Sequence, residues 1–139
     1  MMNHYTMADL HVGMKESFLV KITQEQQDMF TKMSGDLNPM HLNKEECLRG
    51  GYRDRLVYGM LTASYYSTLV GVYLPGEKCL FHSCDVEWPA PVYVGDTLTV
   101  TGIVKEIDAD FHRIHIKAFI RNQDGIKVSR AKLIAGVRE

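Results

Sequence analysis

The chain has 139 residues, 45% of them apolar and 24% charged, with a formal net charge of -1. That size suits one domain over residues 1–139 with a buried core, and the composition excludes a disordered chain. Near-neutral charge argues against nucleic acid or an anionic membrane surface as partner, and no apolar run of about 18 residues exists to span a bilayer.

In chain order, "MMNHYTMADLHVGMKESF" lacks the apolar stretch of a secretory leader, so a cytoplasmic protein is expected. "SFLVKIT", residues 17–23, is a short β-like run. "TQEQQDMF" opens a helix. Thr23 with Gln26 three residues on reads as a capping box, Phe30 and Met33 are expected to point inward, and Gly35 ends the helix. The loop "SGDLNPMHLN" follows, then a short helix capped by Asn43 with Glu46 returning the bond. "RGGYRDR" reads as an exposed, charged connection.

"GMLTASYYSTLVGVYL", residues 59–74, is nearly uncharged and mixes small with large apolar residues. A helix apolar all round belongs in a core, with Tyr65 and Tyr66 as core or interface aromatics. Pro75-Gly76 breaks it, and the remainder is β. "KCLFHSCDVEW" is one candidate strand, and "APVYVGDTL" is read with its proline at a strand edge and a Gly-Asp turn. "DTLTVTGIVKEID" follows, rich in Thr, Val and Ile. In "FHRIHIKAFIRN" the residues Ile114, Ile116, Ala118 and Ile120 face one way, while His115, Lys117 and Arg121 face the other. "NQDG" turns the chain back into an antiparallel partner, "IKVSRAKLIAGVR". The layout is α+β. A curved antiparallel sheet must bury its apolar face on the one long uncharged helix, which is the hotdog arrangement.

Three cysteines, Cys47, Cys79 and Cys84, without CxxC spacing argue against a disulfide framework or a zinc site. At least two of these thiols are expected to be buried. His82, His112 and His115 lie in strand-like stretches and His4 and His11 near the terminus. None shows metal spacing, so no metal is expected.

The loop holds a carboxylate, Asp36, and an imidazole, His41, around Asn38-Pro39. Pro39 biases Asn38 toward extended geometry, and the Asn38 amide can tie neighbouring backbone. Taken alone, Asp36 and His41 read more simply as a turn aspartate and a surface histidine than as chemistry. Gly59 is equally open. It begins the buried helix, so its N–H is an unpaired donor at a positive dipole end, yet a glycine there also serves close helix packing.

"SGDLNPMH", then "VYGMLTASYYSTLVGVYLPG", then "PVYVGDTL" together resemble the MaoC-like hydratases, and most closely the short R-specific enoyl-CoA hydratases. The family pattern runs D-x-N-P-x-H, then V-H-G-M before a central helix, then P-V-x-x-G-D-x-L. This chain supplies Asp36, Asn38, Pro39 and His41, then Val57, Gly59 and Met60, then Pro91, Val92, Gly95, Asp96 and Leu98. The resemblance spans about residues 8 to 137. Two departures stand out. The family's histidine before the helix glycine is Tyr58, and its aspartate two residues after the loop histidine is Asn43.

The resemblance implies reversible addition of water across a trans-2-enoyl thioester to give the R-3-hydroxyacyl thioester, with coenzyme A entering only as part of the substrate and no separate cofactor. It implies that Asp36 and His41 hold the water between them as acid and base. The Gly59 N–H would receive the thioester oxygen, which becomes enolate-like as water adds. Around the substrate it groups Asn38, Tyr58, Met60, Ser67, Val70 and Leu133, with Asn38 also as loop scaffold, although Ser67 reads more simply as a small helix-packing residue. Arg49, Arg53 and Arg55 could serve the nucleotide end of coenzyme A, although a solvated charge run is the simpler reading. An exposed sheet edge, together with the resemblance, implies a homodimer or higher homo-oligomer acting on acyl-CoA or acyl-carrier-protein thioesters. The alternatives are a hotdog thioesterase, whose family lacks the D-x-N-P-x-H loop, and a non-catalytic acyl-thioester-binding domain altered at Tyr58.

Overall fold

The computed structural model describes all 139 residues. Its frame is a five-stranded antiparallel sheet made of β1 (Lys15–Lys21), β2 (Cys79–Glu87), β3 (Thr97–Asp108), β4 (Arg113–Arg121) and β5 (Lys127–Val137). The spatial order is β1-β3-β4-β5-β2. Alternation on β4 sends Ile114, Ile116, Ala118 and Ile120 into the core, as their period-2 spacing requires. Register shifts after Phe81, Val104 and Ile120 bend the sheet, since an extra residue on one strand increases local twist.

The helices are α1 (Gln24–Ser34), α2 (Pro39–Leu42), α3 (Lys44–Arg49) and α4 (Gly59–Thr68). α4 runs on into a wider π-helical stretch, Leu69–Tyr73, closed by the Leu74 N–H on the Leu69 carbonyl. The sheet curls around α4 and this extension, burying Leu61, Tyr66, Leu69 and Val70 at its centre. Gly102 on β3 lets the helix come close. A Cβ there would lie 2.8 Å from Leu69 Cδ2 and 3.1 Å from Ile116 Cγ2. The Tyr66 hydroxyl donates to Ser129 Oγ on β5 at 2.9 Å, and Ser129 donates to the Glu87 carbonyl on β2 at 3.0 Å. One buried chain of hydroxyls therefore ties the helix to two strands. This is the hotdog arrangement.

The capping of α1 follows the sequence reading. Thr23 and Gln26 exchange the reciprocal bonds of a capping box, worth about 1 kcal/mol, and Gly35 closes the helix at φ 70°. Elsewhere the structure corrects the reading. Met33 is 77% exposed, because the inward face of α1 is set by Gln27, Phe30 and Thr31. Asn43 does cap α3, but the Glu46 carboxylate turns to Arg49 at 2.9 Å and does not return a bond. Residues 88–96 form no strand. Gly95 turns at φ 99° and Asp96 takes the Tyr93 N–H, folding the segment back before β3 starts. The central helix is not buried all round, since Met60, Ser64 and Ser67 are exposed. Of the cysteines only Cys47 is fully buried. Cys79 is half-buried and Cys84 is exposed on β2.

β2 pairs only with β5, which leaves its other edge open, with Leu80 and Phe81 exposed along it. No helix is long and apolar enough to cross a membrane.

Candidate functional site

The loop after α1 is held by its own polar side chains. Asp36 Oδ1 accepts the Asn38 N–H at 3.1 Å, and the Asp36 N–H donates to Ser34 Oγ at 3.2 Å. Asn38 then caps α2, its Oδ1 accepting the Met40 N–H at 2.9 Å, with Pro39 at the first helical position. Proline suits that position because its missing N–H would be unpaired there anyway. The result is one rigid turn that presents His41 near its end.

Residues 56–58 run past this turn and fix the imidazole. The Leu56 N–H donates to the Met40 carbonyl at 2.9 Å, and the Leu56 carbonyl faces His41 Nδ1 at 2.8 Å. A carbonyl can only accept, so Nδ1 carries the proton and neutral His41 keeps its lone pair on Nε2. That is the tautomer a general base needs. Gln27, buried in α1, donates to the same carbonyl at 3.1 Å.

Tyr58 is the strut between the two candidate catalytic residues. Its ring lies 3.9 Å from the His41 ring and 4.8 Å from the Phe30 ring, centroid to centroid. Its hydroxyl donates to the Asp36 carbonyl at 2.5 Å and lies 2.9 Å from Thr31 Oγ1. Only 2% exposed, it supports the loop from behind and does not face open space.

α4 begins immediately after. Tyr58 is its N-cap without a side-chain cap bond, and nothing in the chain accepts the Gly59 N–H. The Gly59 carbonyl is claimed twice by side chains, by Thr62 Oγ1 at 2.6 Å and by Trp88 Nε1 at 2.9 Å. His41 and Gly59 open onto the same groove of about 340 Å³, with Thr62, Trp88, Tyr52 and Pro91 among its other walls. On another side of His41 lies a polar niche of about 10 Å³ against Gln24, Gln27, Asp54 and Arg55. It is about the size of a single water.

The remaining sequence candidates are dispersed. Asp36 and Asn38 are exposed on the loop and do not line this groove. Met60 is exposed at the start of α4, and Ser67 is exposed on its uncovered face. Val70 and Leu133 are packed in the core, closed to the groove. Each arginine of the charged connection is engaged: Arg49 with Glu46, Arg53 with Asp96 at 3.8 Å while stacked over Tyr93, and Arg55 with Gln24 at 3.1 Å. Sequence reasoning missed Trp88, Thr62 and Tyr52. Thr62 had a signal, since it lies three residues after Gly59 and so on the same helix face.

A family model described as "MaoC like domain" matches residues 11–122. The (R)-specific enoyl-CoA hydratase of Rhodospirillum rubrum is 33% identical over 107 residues, covering 74% of each chain. The 3-hydroxybutyryl-CoA dehydratase of Methylorubrum extorquens is 31% identical over 108 residues, covering 78% of this chain and 69% of that one. Among solved structures, the unliganded R-hydratase PhaJ1 of Pseudomonas aeruginosa superposes with a TM-score of 0.91 at 26% identity, over 99% of this chain and 88% of that one. The (R)-hydratase of A. caviae superposes with a TM-score of 0.86 at 26% identity, over 92% of this chain and 97% of that one.

Proposed function

The chain belongs to the MaoC-like domain family, and from that premise we propose that it hydrates trans-2-enoyl thioesters to R-3-hydroxyacyl thioesters, and runs the reverse dehydration. One arrangement carries this reading. His41, with its lone pair on Nε2, and the unpaired Gly59 N–H belong to one groove. The similar proteins named as hydratases and dehydratases favour the same reaction class.

The chemistry follows from what each group can do. Water is a poor nucleophile, so a base takes one proton as its oxygen bonds to C3. The C2=C3 pair shifts toward the thioester, whose oxygen gains charge. A preorganised donor at that oxygen is worth roughly 3 kcal/mol, and the Gly59 N–H at the start of α4 fills this role. A proton then returns to C2, so atoms and charge balance without any redox partner. His41 is the base that lines the groove, while Asp36, exposed on the loop outside it, enters the proton traffic on the strength of the family resemblance, with the Tyr58 hydroxyl bracing its backbone. The thioester sulfur carries either coenzyme A or an acyl carrier protein.

We assign the open edge of β2 to a second copy of the chain. It combines an unpaired strand edge with exposed Leu80 and Phe81, and pairing there would also cover apolar surface. Light scattering should give twice the chain mass; a monomer at working concentration contradicts the assignment.

Crotonyl-CoA tests the activity. Loss of the enoyl absorbance without free thiol is the expected result. Thiol release instead identifies a thioesterase, and binding with neither change identifies a non-catalytic binding domain.

A further inference from the structure

Trp88 is the only tryptophan in the chain and lies beside the donor glycine, 43% exposed and part of the groove wall. We propose that Trp88 is a positioning residue whose indole clamps Gly59, aims its N–H, and forms the surface against which the thioester lies. The proposal rests on the hydratase reading of this site.

The geometry explains why residue 59 is a glycine at all. Its φ is outside the left-handed region, so backbone conformation does not demand glycine. The indole favours it. A Cβ on Gly59 would lie 3.0 Å from Trp88 Cε2 and Nε1 and 3.2 Å from Cδ2, tighter than most side-chain contacts, so the ring would have to give by a few tenths of an ångström. The same ring donates its N–H to the Gly59 carbonyl at 2.9 Å. The indole therefore touches Gly59 twice, across its Cα face and at its carbonyl. Fixing both leaves the amide on the other side of Cα little freedom to turn.

That amide is the free one. A donor fixed before reaction incurs no reorganisation when charge develops, which is the condition for a large electrostatic contribution. Pro89 directly follows Trp88, and proline restricts the residue before it, which limits how the tryptophan backbone can relax.

A double-mutant cycle with steady-state kinetics and thermal unfolding tests this. Trp88→Ala should lower kcat on crotonyl-CoA by about 10- to 100-fold and change KM by less than about fivefold, because orientation matters most in the transition state. Trp88→Phe keeps a ring without the N–H and should recover to within about tenfold of wild type. Gly59→Ala retains the amide donor but pushes the indole away, so it should lose kcat and melting temperature. In Gly59→Ala/Trp88→Ala the collision is gone. The double variant should then match Trp88→Ala in both readouts, and the two penalties should not multiply. Emission from the single tryptophan should also shift on titration with R-3-hydroxybutyryl-CoA.

A wild type that hydrates while Trp88→Ala keeps kcat within twofold overturns the proposal alone. Multiplying penalties, or unchanged emission at saturation, do the same. A wild type without hydration overturns the hydratase reading instead, while the melting cycle and the emission still decide the clamp.

Discussion

Replacing Tyr58 by Phe removes one oxygen from the strut between the Asp36 loop and His41. The Tyr58 hydroxyl and Thr31 Oγ1 own two protons for three contacts: Asp36 O at 2.5 Å, Gln27 O at 3.0 Å, and each other at 2.9 Å. Carbonyls cannot donate, so the Tyr58 proton goes to Asp36 and the Thr31 proton to Gln27 or Tyr58. In the Phe variant Thr31 keeps its Gln27 bond, and the lost interaction is the single bond to Asp36. Asp36 is exposed, so water can replace the donor and the net cost is about 1 kcal/mol. For a chain of this length that lowers the melting temperature by about 3 to 4 °C. The ring stack on His41 survives, which confines the damage to the loop carrying Asp36. If all of that bond free energy holds the reactive loop geometry, kcat falls by up to about fivefold with little change in KM. Steady-state hydration of crotonyl-CoA and thermal unfolding read the two effects. A lowered melting temperature with wild-type kcat would show that the hydroxyl serves only the fold, and the strut argument would be wrong.

Two further outcomes follow from the rest of the molecule. Burial pushes the Tyr66 phenol up to about 12, partly offset by its hydrogen bond to Ser129, so the unfolded chain loses that proton at lower pH than the folded one. Stability should therefore be intact below about pH 10 and decline as pH rises toward 12, by at most about 2 kcal/mol from this group. Tyr66→Phe should flatten that part of the alkaline melting profile, and an unchanged slope contradicts it. Gly76 sits at φ 96° with the Asn3 carbonyl oxygen 2.1 Å from where a Cβ would stand, a backbone neighbour that cannot step aside. Gly76→Ala should cost at least about 3 kcal/mol and lower the melting temperature by about 10 °C. A shift under 2 °C means the N-terminal strap yields more easily than its hydrogen bonds to Val72 and Tyr73 suggest.

What could be read from the sequence was what neighbours in sequence decide. The Thr23/Gln26 box, the Gly35 cap and the alternation along β4 depend on residues a few positions apart, and they stand as expected. The turn of α2 was also within reach, because Asn followed by Pro matches a cap and first helical position. Met33 was misplaced because Phe30 and Met33 share a helical spacing while tertiary contact with Tyr58 selects only Phe30. The strand expected around Val92-Tyr93-Val94 fails because the Asp96 carboxylate and Gly95 fold it into a turn. The loop motif pointed to Asp36, His41 and Gly59 through resemblance, but their supports are long-range. Tyr58 reaches Asp36 across 22 positions and Trp88 reaches Gly59 across 29. No local pattern carries such contacts, and only the fold brings them together.

The central claim is that the loop carboxylate and the tautomer-fixed imidazole divide proton transfer to and from one water. Asp36→Asn and His41→Ala, assayed on crotonyl-CoA beside their melting temperatures, address it most directly. The account predicts that each variant stays folded and loses about 100-fold or more in turnover. A folded Asp36→Asn or His41→Ala protein that turns over near the wild-type rate would contradict it.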